Sequence, residues 1–115
     1  MLEIQTEFRH GIFFIRLSGV LSRKTVNKLS EDVTRLIENN GFKNIVFNIE
    51  NLTYIDIKGI STLFYYYEIS RNNHGNSLVC GITNENVRKK IKHSRLLNYM
   101  SEVNDELAAL RLINV

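Results

Sequence analysis

The spacing of apolar residues alternates along the chain between the two-residue period of strands and the longer period of helices. Apolar and polar side chains alternate over residues 2–8, and residues 12–18 form a second run rich in strand-favouring residues. His10 and Gly11 lie between these runs, and both tolerate the backbone of a tight turn. The pattern therefore predicts a β-hairpin at the start of the chain.

The next segment carries apolar residues at helical spacing. Ser22 precedes it and is predicted as its N-cap, and the turn-forming residues 39–41 end it. A helix of about four turns is expected between them. The predicted apolar stripe of this helix consists of Val26, Leu29, Val33, Leu36 and Ile37.

A buried strand and a second helix follow. Residues 44–49 are almost continuously apolar, as in a strand covered on both faces, and residues 50–54 are predicted as a loop. Asp56 is the predicted N-cap of a helix that runs to about Asn72. Its apolar stripe is predicted to consist of Ile60, Leu63, Phe64 and Tyr67.

The remainder of the chain repeats this alternation. Residues 77–82 are predicted as a strand and residues 85–94 as a helix capped by Thr83 or Asn84. A short strand near residues 99–103 and a last helix over residues 105–112 complete the order, and Leu107, Ala108 and Leu110 are its apolar residues. The expected fold is one α/β domain over residues 1–115, with a mixed, four- to five-stranded sheet and four helices mainly on one face.

A run of three tyrosines and the single cysteine could be taken for functional groups, but their spacing favours structural roles. Residues 65–67 are consecutive tyrosines, which cannot share one face of a helix, so Tyr67 is predicted in the core with Tyr65 and Tyr66 partly exposed. Cys80 lies inside an apolar strand and is predicted to be a buried, unreactive thiol.

Composition excludes several classes of chemistry. The chain has three histidines and one cysteine, far apart in the sequence, and it lacks the phosphate-loop, zinc-protease and dinucleotide-binding motifs. No cofactor, metal or catalytic site is therefore predicted, and an enzyme is the least expected class of protein. No apolar run approaches the roughly 20 residues of a membrane span, and no signal-peptide pattern is present, so a cytoplasmic protein is expected.

The positive charge is local. The net charge is +3, and residues 85–95 contain five basic residues and one acidic residue. A cluster such as Arg88, Lys89 and Lys90 can bind a nucleic acid or an anionic membrane surface. The bases are spread around the helix, however, which is more typical of a solvated face, and nucleic-acid binding is not the favoured interpretation.

Residues 44–62 carry a motif that can be compared with known families. Together with residues 17–22 and 77–83, this segment resembles the signature of STAS-domain anti-sigma factor antagonists, which are bacterial regulators of sporulation and stress responses. The positions in register with that signature are Asn48, Ile49, Leu52, Thr53, Tyr54, Ile55, Asp56, Gly59 and Ile60.

The resemblance implies a protein-interaction module whose partner is an anti-sigma factor and serine kinase of the ATP-dependent type. In the family, this kinase phosphorylates a serine in the first turn of the second helix, and the phosphoprotein no longer binds. Lys58 occupies that position here and has no hydroxyl to accept a phosphoryl group, so we expect binding without the usual switch. Ser61 and Thr62, further along the helix, are candidate replacement acceptors. The predicted partner-binding residues are Ser22, Arg23, Asp56, Ile57, Lys58, Gly59, Ser61 and Thr62.

Two alternatives remain open. One is a scaffold STAS protein in a stressosome-like assembly, which would bind copies of itself or other STAS proteins. The other is a module that binds nucleic acid or a membrane surface through residues 85–95.

Overall fold

The amino-terminal hairpin begins a five-stranded sheet in the computed structural model, which describes residues 1–114. The strands are β1 (Leu2–Arg9), β2 (Ile12–Leu21), β3 (Ile45–Ile55), β4 (Ser77–Cys80) and β5 (Ser101–Val103). The helices are α1 (residues 26–40), α2 (Ile57–Asn72), α3 (Glu85–Ser94) and α4 (Glu106–Ile113). Within α1, a π-helical turn, Ser30–Thr34, joins Val26–Leu29 to Arg35–Asn40, and a 3₁₀ turn, Leu96–Asn98, leads into β5.

The order of strands in the sheet follows their order in the sequence. β1 and β2 are antiparallel, as the hairpin requires, and His10 and Gly11 take positive φ angles of 52° and 78° at the turn. β2, β3, β4 and β5 are parallel neighbours, joined in turn by α1, α2 and α3. The predicted hairpin and parallel crossovers are therefore confirmed.

Alternation along the central strands builds two apolar layers. In β2, Phe13, Ile15 and Leu17 belong to the larger cluster, which buries the apolar stripes of α1, α2 and α3. Ile12 and Phe14 belong to a smaller cluster with residues of β3 and β4 and with Ala109 of α4. The helices therefore lie mainly on one face of the sheet, as predicted, and α4 covers part of the other.

The prediction of a loop at residues 50–54 is wrong, because these residues continue β3. β2 extends to Leu21 and pairs with them in parallel, with Leu21 beside Ile55 and a register shift between Gly19 and Val20. Exposed polar residues such as Glu50 and Asn51 follow the point at which β3 ceases to pair with β4. This segment pairs with β2 on one side and, among residues 1–114, with no strand on the other, so its side chains can be polar. Its local sequence therefore looks like that of a loop.

The predicted start of α1 is also wrong. Ser22 is not its N-cap, because residues 22–25 form a separate turn in which the Thr25 hydroxyl accepts from the Ser22 backbone N–H at 2.9 Å and donates to the Val20 carbonyl at 2.8 Å. The helix begins after Thr25, which makes no capping bond with its side chain. Of the predicted stripe, Leu36 lies at an exposed edge because Ile37 fills the core position.

The assignment of the tyrosines must be corrected as well. Tyr66, predicted to be partly exposed, has 0% of its surface exposed, whereas Tyr67 is only half-buried. The hydroxyl of Tyr66 lies 2.9 Å from the Thr34 hydroxyl of α1, and its ring contacts Phe47 of β3 at 5.4 Å between centroids. Tyr66 is buried because α2 faces both the sheet and α1, and its apolar stripe alone does not reveal the second neighbour.

Candidate functional site

The first turn of α2 is held in place by the carboxylate of Asp56. One of its oxygens accepts a hydrogen bond from the backbone N–H of Gly59 at 2.8 Å, which confirms the predicted N-cap. The other accepts from the backbone N–H of Arg23, in the turn after β2, at 2.9 Å. Burial of the carboxylate opposes its ionisation, but these backbone donors outweigh that effect, so the pKa of Asp56 lies below its ordinary value.

Gly59 lets this turn approach the end of β2 closely. A Cβ atom at this position would overlap the carbonyl oxygen of Leu21, which itself accepts a hydrogen bond from the Asp56 backbone N–H at 3.2 Å. Glycine is therefore required by the packing of backbone against backbone. Together, Gly59 and Asp56 fix the position of the helix tip relative to the turn at residues 22–25.

Beyond these contacts the tip of α2 projects outward. Ile57 is 85% exposed, the largest exposed fraction of any described apolar residue except Met1, and Lys58 is exposed beside it. Burying an isoleucine side chain on association contributes about 1.5–3 kcal/mol. A rigidly held, uncovered isoleucine is thus suited to contact with another molecule.

The predicted site residues lie on two sides of this tip. Arg23, Ile57 and Lys58 face a groove toward α3, together with Asp56. Ser61 and Thr62 line a separate, smaller crevice toward α1, and Lys58 borders both spaces. Ser61 is exposed there, whereas the Thr62 hydroxyl donates to the Lys58 carbonyl at 3.0 Å.

The groove toward α3 also contains residues that sequence reasoning did not place in the site. Tyr54, at the end of β3, is 44% exposed, and the Nζ atom of Lys90 lies 4.1 Å from the centre of its ring. His93, which is exposed, and Ser94 line the same wall from α3. The residues around this groove of about 820 Å³ present mainly apolar surface. An interpretation of residues 50–55 as a strand would have placed Tyr54 next to the site, but no local signal predicts its contact with Lys90.

The basic residues of α3 have different surroundings. Arg88 donates to both carboxylate oxygens of Glu102, at 2.6 and 3.2 Å, and to the Ile82 carbonyl at 2.9 Å. Lys89 is exposed to solvent, whereas Lys90 lies over Tyr54. Two residues apart on a helix means about 200° of rotation, so Arg88 and Lys90 point to opposite flanks.

Three further features of residues 1–114 concern metal ligands, membrane spans and the cysteine. No group of three or more histidine, cysteine, aspartate or glutamate side chains in residues 1–114 could hold a metal ion. Over the same residues, no helix combines the length and hydropathy needed to cross a membrane. Cys80 is fully buried, as predicted, and burial raises the pKa of its thiol to about 12.

The strand order, the parallel crossovers and the helix tip define an α/β domain of a known kind. The chain belongs to the STAS domain family, whose model matches residues 3–110. This confirms the STAS domain in the resemblance that residues 17–22, 44–62 and 77–83 carry.

Individual relatives agree with this assignment. The anti-sigma F factor antagonist of Paenibacillus polymyxa is 26% identical over 114 residues, which cover 99% of this chain and 97% of that protein. The structure of the Thermotoga maritima protein TM1081 is similar with a TM-score of 0.89 at 12% identity, covering 97% of this chain and 95% of that one. The Bacillus cell-fate determinant SpoIIAA in its phosphorylated form is similar with a TM-score of 0.73 at 22% identity, covering 96% and 99% of the two chains. These structures share the fold, and the sequence relative is an antagonist of an anti-sigma factor.

Proposed function

We propose that this protein is an anti-sigma factor antagonist-like module that binds an anti-sigma factor through the first turn of α2 and the turn at residues 22–25. The observation that carries the proposal is the exposed Ile57 on a tip fixed by Asp56. The antagonist from P. polymyxa, which aligns with nearly the whole chain, supports the same class of partner.

The geometry suits binding to a protein surface. The two hydrogen bonds of Asp56 order the tip before any partner arrives, which lowers the entropy that association must overcome. Ile57 supplies an apolar anchor, and Arg23 and Lys58 supply a charged rim. The proposed partner is an anti-sigma factor that is also an ATP-dependent serine kinase, and the proposed location is the cytoplasm.

We further propose that binding is not switched off by phosphorylation in the usual way. Lys58 stands where the resemblance to the family puts the phosphorylated serine, and its ammonium group cannot form a phosphate ester. Of the nearby hydroxyls, Ser61 is exposed and Thr62 donates to the helix backbone, so Ser61 is the better candidate for any replacement acceptor. In this proposal the chain itself catalyses no reaction.

A binding assay tests the partner. The anti-sigma kinase of the same organism is retained on the immobilised protein with ADP or ATP, and Ile57→Asp is compared with Leu107→Asp. Leu107 is a suitable control because it is 54% exposed on α4, on the other face of the sheet. We expect Ile57→Asp to lower the affinity at least about tenfold, because it replaces an apolar contact by a carboxylate, and Leu107→Asp to leave it unchanged. Equal binding by all three proteins would contradict the proposed surface.

Intact mass spectrometry tests the switch. After incubation with the kinase and ATP, the wild-type protein should keep its mass, and Lys58→Ser should gain one phosphoryl group and lose its partner. A phosphate on Ser61 of the wild-type protein would show that regulation survives at another position. Size-exclusion chromatography separates this proposal from the scaffold alternative, which requires a large assembly.

A further inference from the structure

The groove between the tip of α2 and α3 has a second wall that the proposed contact surface does not include. The wall consists of Tyr54 from β3 with Lys90 and His93 from α3, and these residues line the same groove as Ile57. Tyr54 and Ile57 lie only three positions apart in the chain, one at the end of β3 and the other at the start of α2. The uncovered apolar surface therefore continues from the tip of α2 into the groove.

The position of Lys90 is set by Tyr54. Its Nζ atom lies 4.1 Å from the ring centre, where the negative face of the aromatic ring attracts a cation. This contact holds the ammonium group at the edge of the groove although no carboxylate is paired with it among the ion pairs of the described residues. A lysine held in this way can donate to an incoming anion with less loss of side-chain entropy than a freely rotating one.

The charged groups of the groove that remain free to pair with a ligand are positive. Arg23, Lys58 and Lys90 contribute three cations to its lining. Asp56 contributes a carboxylate, but both of its oxygens already accept backbone hydrogen bonds, from Arg23 and from Gly59. The groove thus combines mainly apolar surface with three cationic side chains.

We infer that this groove binds a segment of the protein partner in which an apolar side chain is flanked by carboxylates. The apolar side chain would lie between Ile57 and Tyr54, and the carboxylates would accept from Lys58 on one side and Lys90 on the other. The inference rests on the proposed function and names the chemistry of the partner's contact segment.

A nucleic acid fits the same surface less well. A phosphate backbone needs a row of free cations, whereas Arg88 on the other flank of α3 is already paired with Glu102 at 2.6 Å. The side chain of Ile57, which is 85% exposed beside the groove, has no donor to offer a phosphate. A membrane surface would likewise require the cations to share one face of α3.

A peptide titration tests this chemistry without the kinase. The ¹⁵N-labelled protein is titrated to millimolar concentration with the peptide Asp-Glu-Leu-Asp-Glu and followed by its amide chemical shifts. Shifts at Tyr54, Ile57 and Lys90 are expected, weakening as salt is added because the rim is solvent-exposed. The peptide Lys-Lys-Leu-Lys-Lys and a short DNA duplex should leave these amides unmoved.

A matched pair of variants gives the comparison its control. Lys90→Glu should weaken peptide binding about tenfold, whereas Lys89→Glu changes the same net charge at the neighbouring exposed position and should leave it within about twofold. Lys90→Gln removes the charge without reversing it, so its peptide affinity should lie between those of the two glutamate variants. If circular dichroism shows that Lys90→Glu is misfolded, Lys90→Gln is compared with Lys89→Glu instead. Absence of shifts with the acidic peptide, equal effects of the two glutamate variants, or a DNA response at the same amides would each overturn the inference.

The same variants separate this inference from the proposed function. If the kinase binds the wild-type protein and Ile57→Asp abolishes binding while Lys90→Glu does not, the partner is correct and the second wall is not part of its site. If the kinase does not bind at all but the acidic peptide gives the expected shifts, the groove chemistry stands and the proposed partner is wrong.

Discussion

Arg16 of β2 and Glu106 of α4 lie 90 residues apart in the sequence and form a two-point ion pair. The Nε and Nη2 atoms of the arginine donate to the two carboxylate oxygens at 2.8 and 2.7 Å, and Asn48 of β3 donates to the same carboxylate at 2.8 Å. This pair links the start of α4 to β2, on the face of the sheet opposite to the other helices. The arginine contact, reinforced by Asn48, more than offsets the effect of burial and holds the pKa of Glu106 below its ordinary value.

Replacing Glu106 should make the free energy of unfolding vary less with pH in the acid range. Glu106→Gln loses charge-assisted hydrogen bonds, and we expect the free energy of unfolding at neutral pH to fall by about 1–3 kcal/mol. Because the folded-state pKa of Glu106 is lowered, the contribution of the pair is complete above the carboxyl's ordinary pKa and is lost as the pH falls through the folded-state value. Urea unfolding should therefore show the difference between the two proteins shrinking below about pH 4.

Glu7 provides the control for this prediction. It accepts from the same arginine at 2.8 Å but lies at an exposed position on β1. Glu7→Gln should cost less than about 1 kcal/mol. Equal losses in the two variants would mean that Glu106 does not fasten α4 by this pair.

The cap at Asp56 should matter more for binding than for stability. Asp56→Ala removes the bonds to Gly59 and Arg23, and we expect a loss of about 1 kcal/mol in unfolding free energy together with a clear loss of kinase retention. Asp105→Ala is the matched variant, because Asp105 caps α4 through the Ala108 backbone N–H at 2.8 Å. It should show a similar loss of stability and unchanged binding; loss of binding in both would trace the effect to general destabilisation.

The hydroxyl of Tyr66 should contribute measurably to stability. Its partner, the Thr34 hydroxyl, lies 2.9 Å away, and burial raises the pKa of Tyr66 despite this bond. Tyr66→Phe should lower the unfolding free energy by about 1 kcal/mol, because the bond between α1 and α2 is lost. Tyr65→Phe should change it by no more than a few tenths, since Tyr65 is exposed. An unchanged unfolding free energy in Tyr66→Phe would show that the hydrogen bond between the two hydroxyls does not contribute to stability.

The thiol of Cys80 should react only when the protein unfolds. Burial raises its pKa to about 12, and the thiolate is the reactive form. With a chromogenic disulfide reagent at pH 8, we expect labelling of the native protein at its unfolding rate and immediate labelling in urea. Rapid labelling in native buffer would show that β4 opens locally.

Much of the fold follows from interactions between residues close in the chain. The hairpin turn at His10 and Gly11 and the cap at Asp56 were predictable because each depends on the backbone within about four residues. The cap of α4 at Asp105 has the same local basis. The STAS domain could also be identified from residues 44–62 together with residues 17–22 and 77–83, because the signature combines buried strands with such a cap.

The wrong start of α1 at Ser22 is a local error, since a turn closed by Thr25 competes with the cap, but the other errors lie where a residue's surroundings come from distant parts of the chain. Residues 50–54 became strand because β2 extends beside them, and Tyr66 became core because α1 covers α2. The contact of Tyr54 with Lys90 depends on how α3 returns across the sheet.

The sequence by itself thus determined the order of elements, the Asp56 cap and the position of the turn that carries Ile57 and Lys58. Only the tertiary structure decided that this turn borders a groove walled by Tyr54 and Lys90. The physical reason is that turns and caps are closed by hydrogen bonds between near neighbours, whereas the groove exists only once parallel strands bring helices from separate crossovers together.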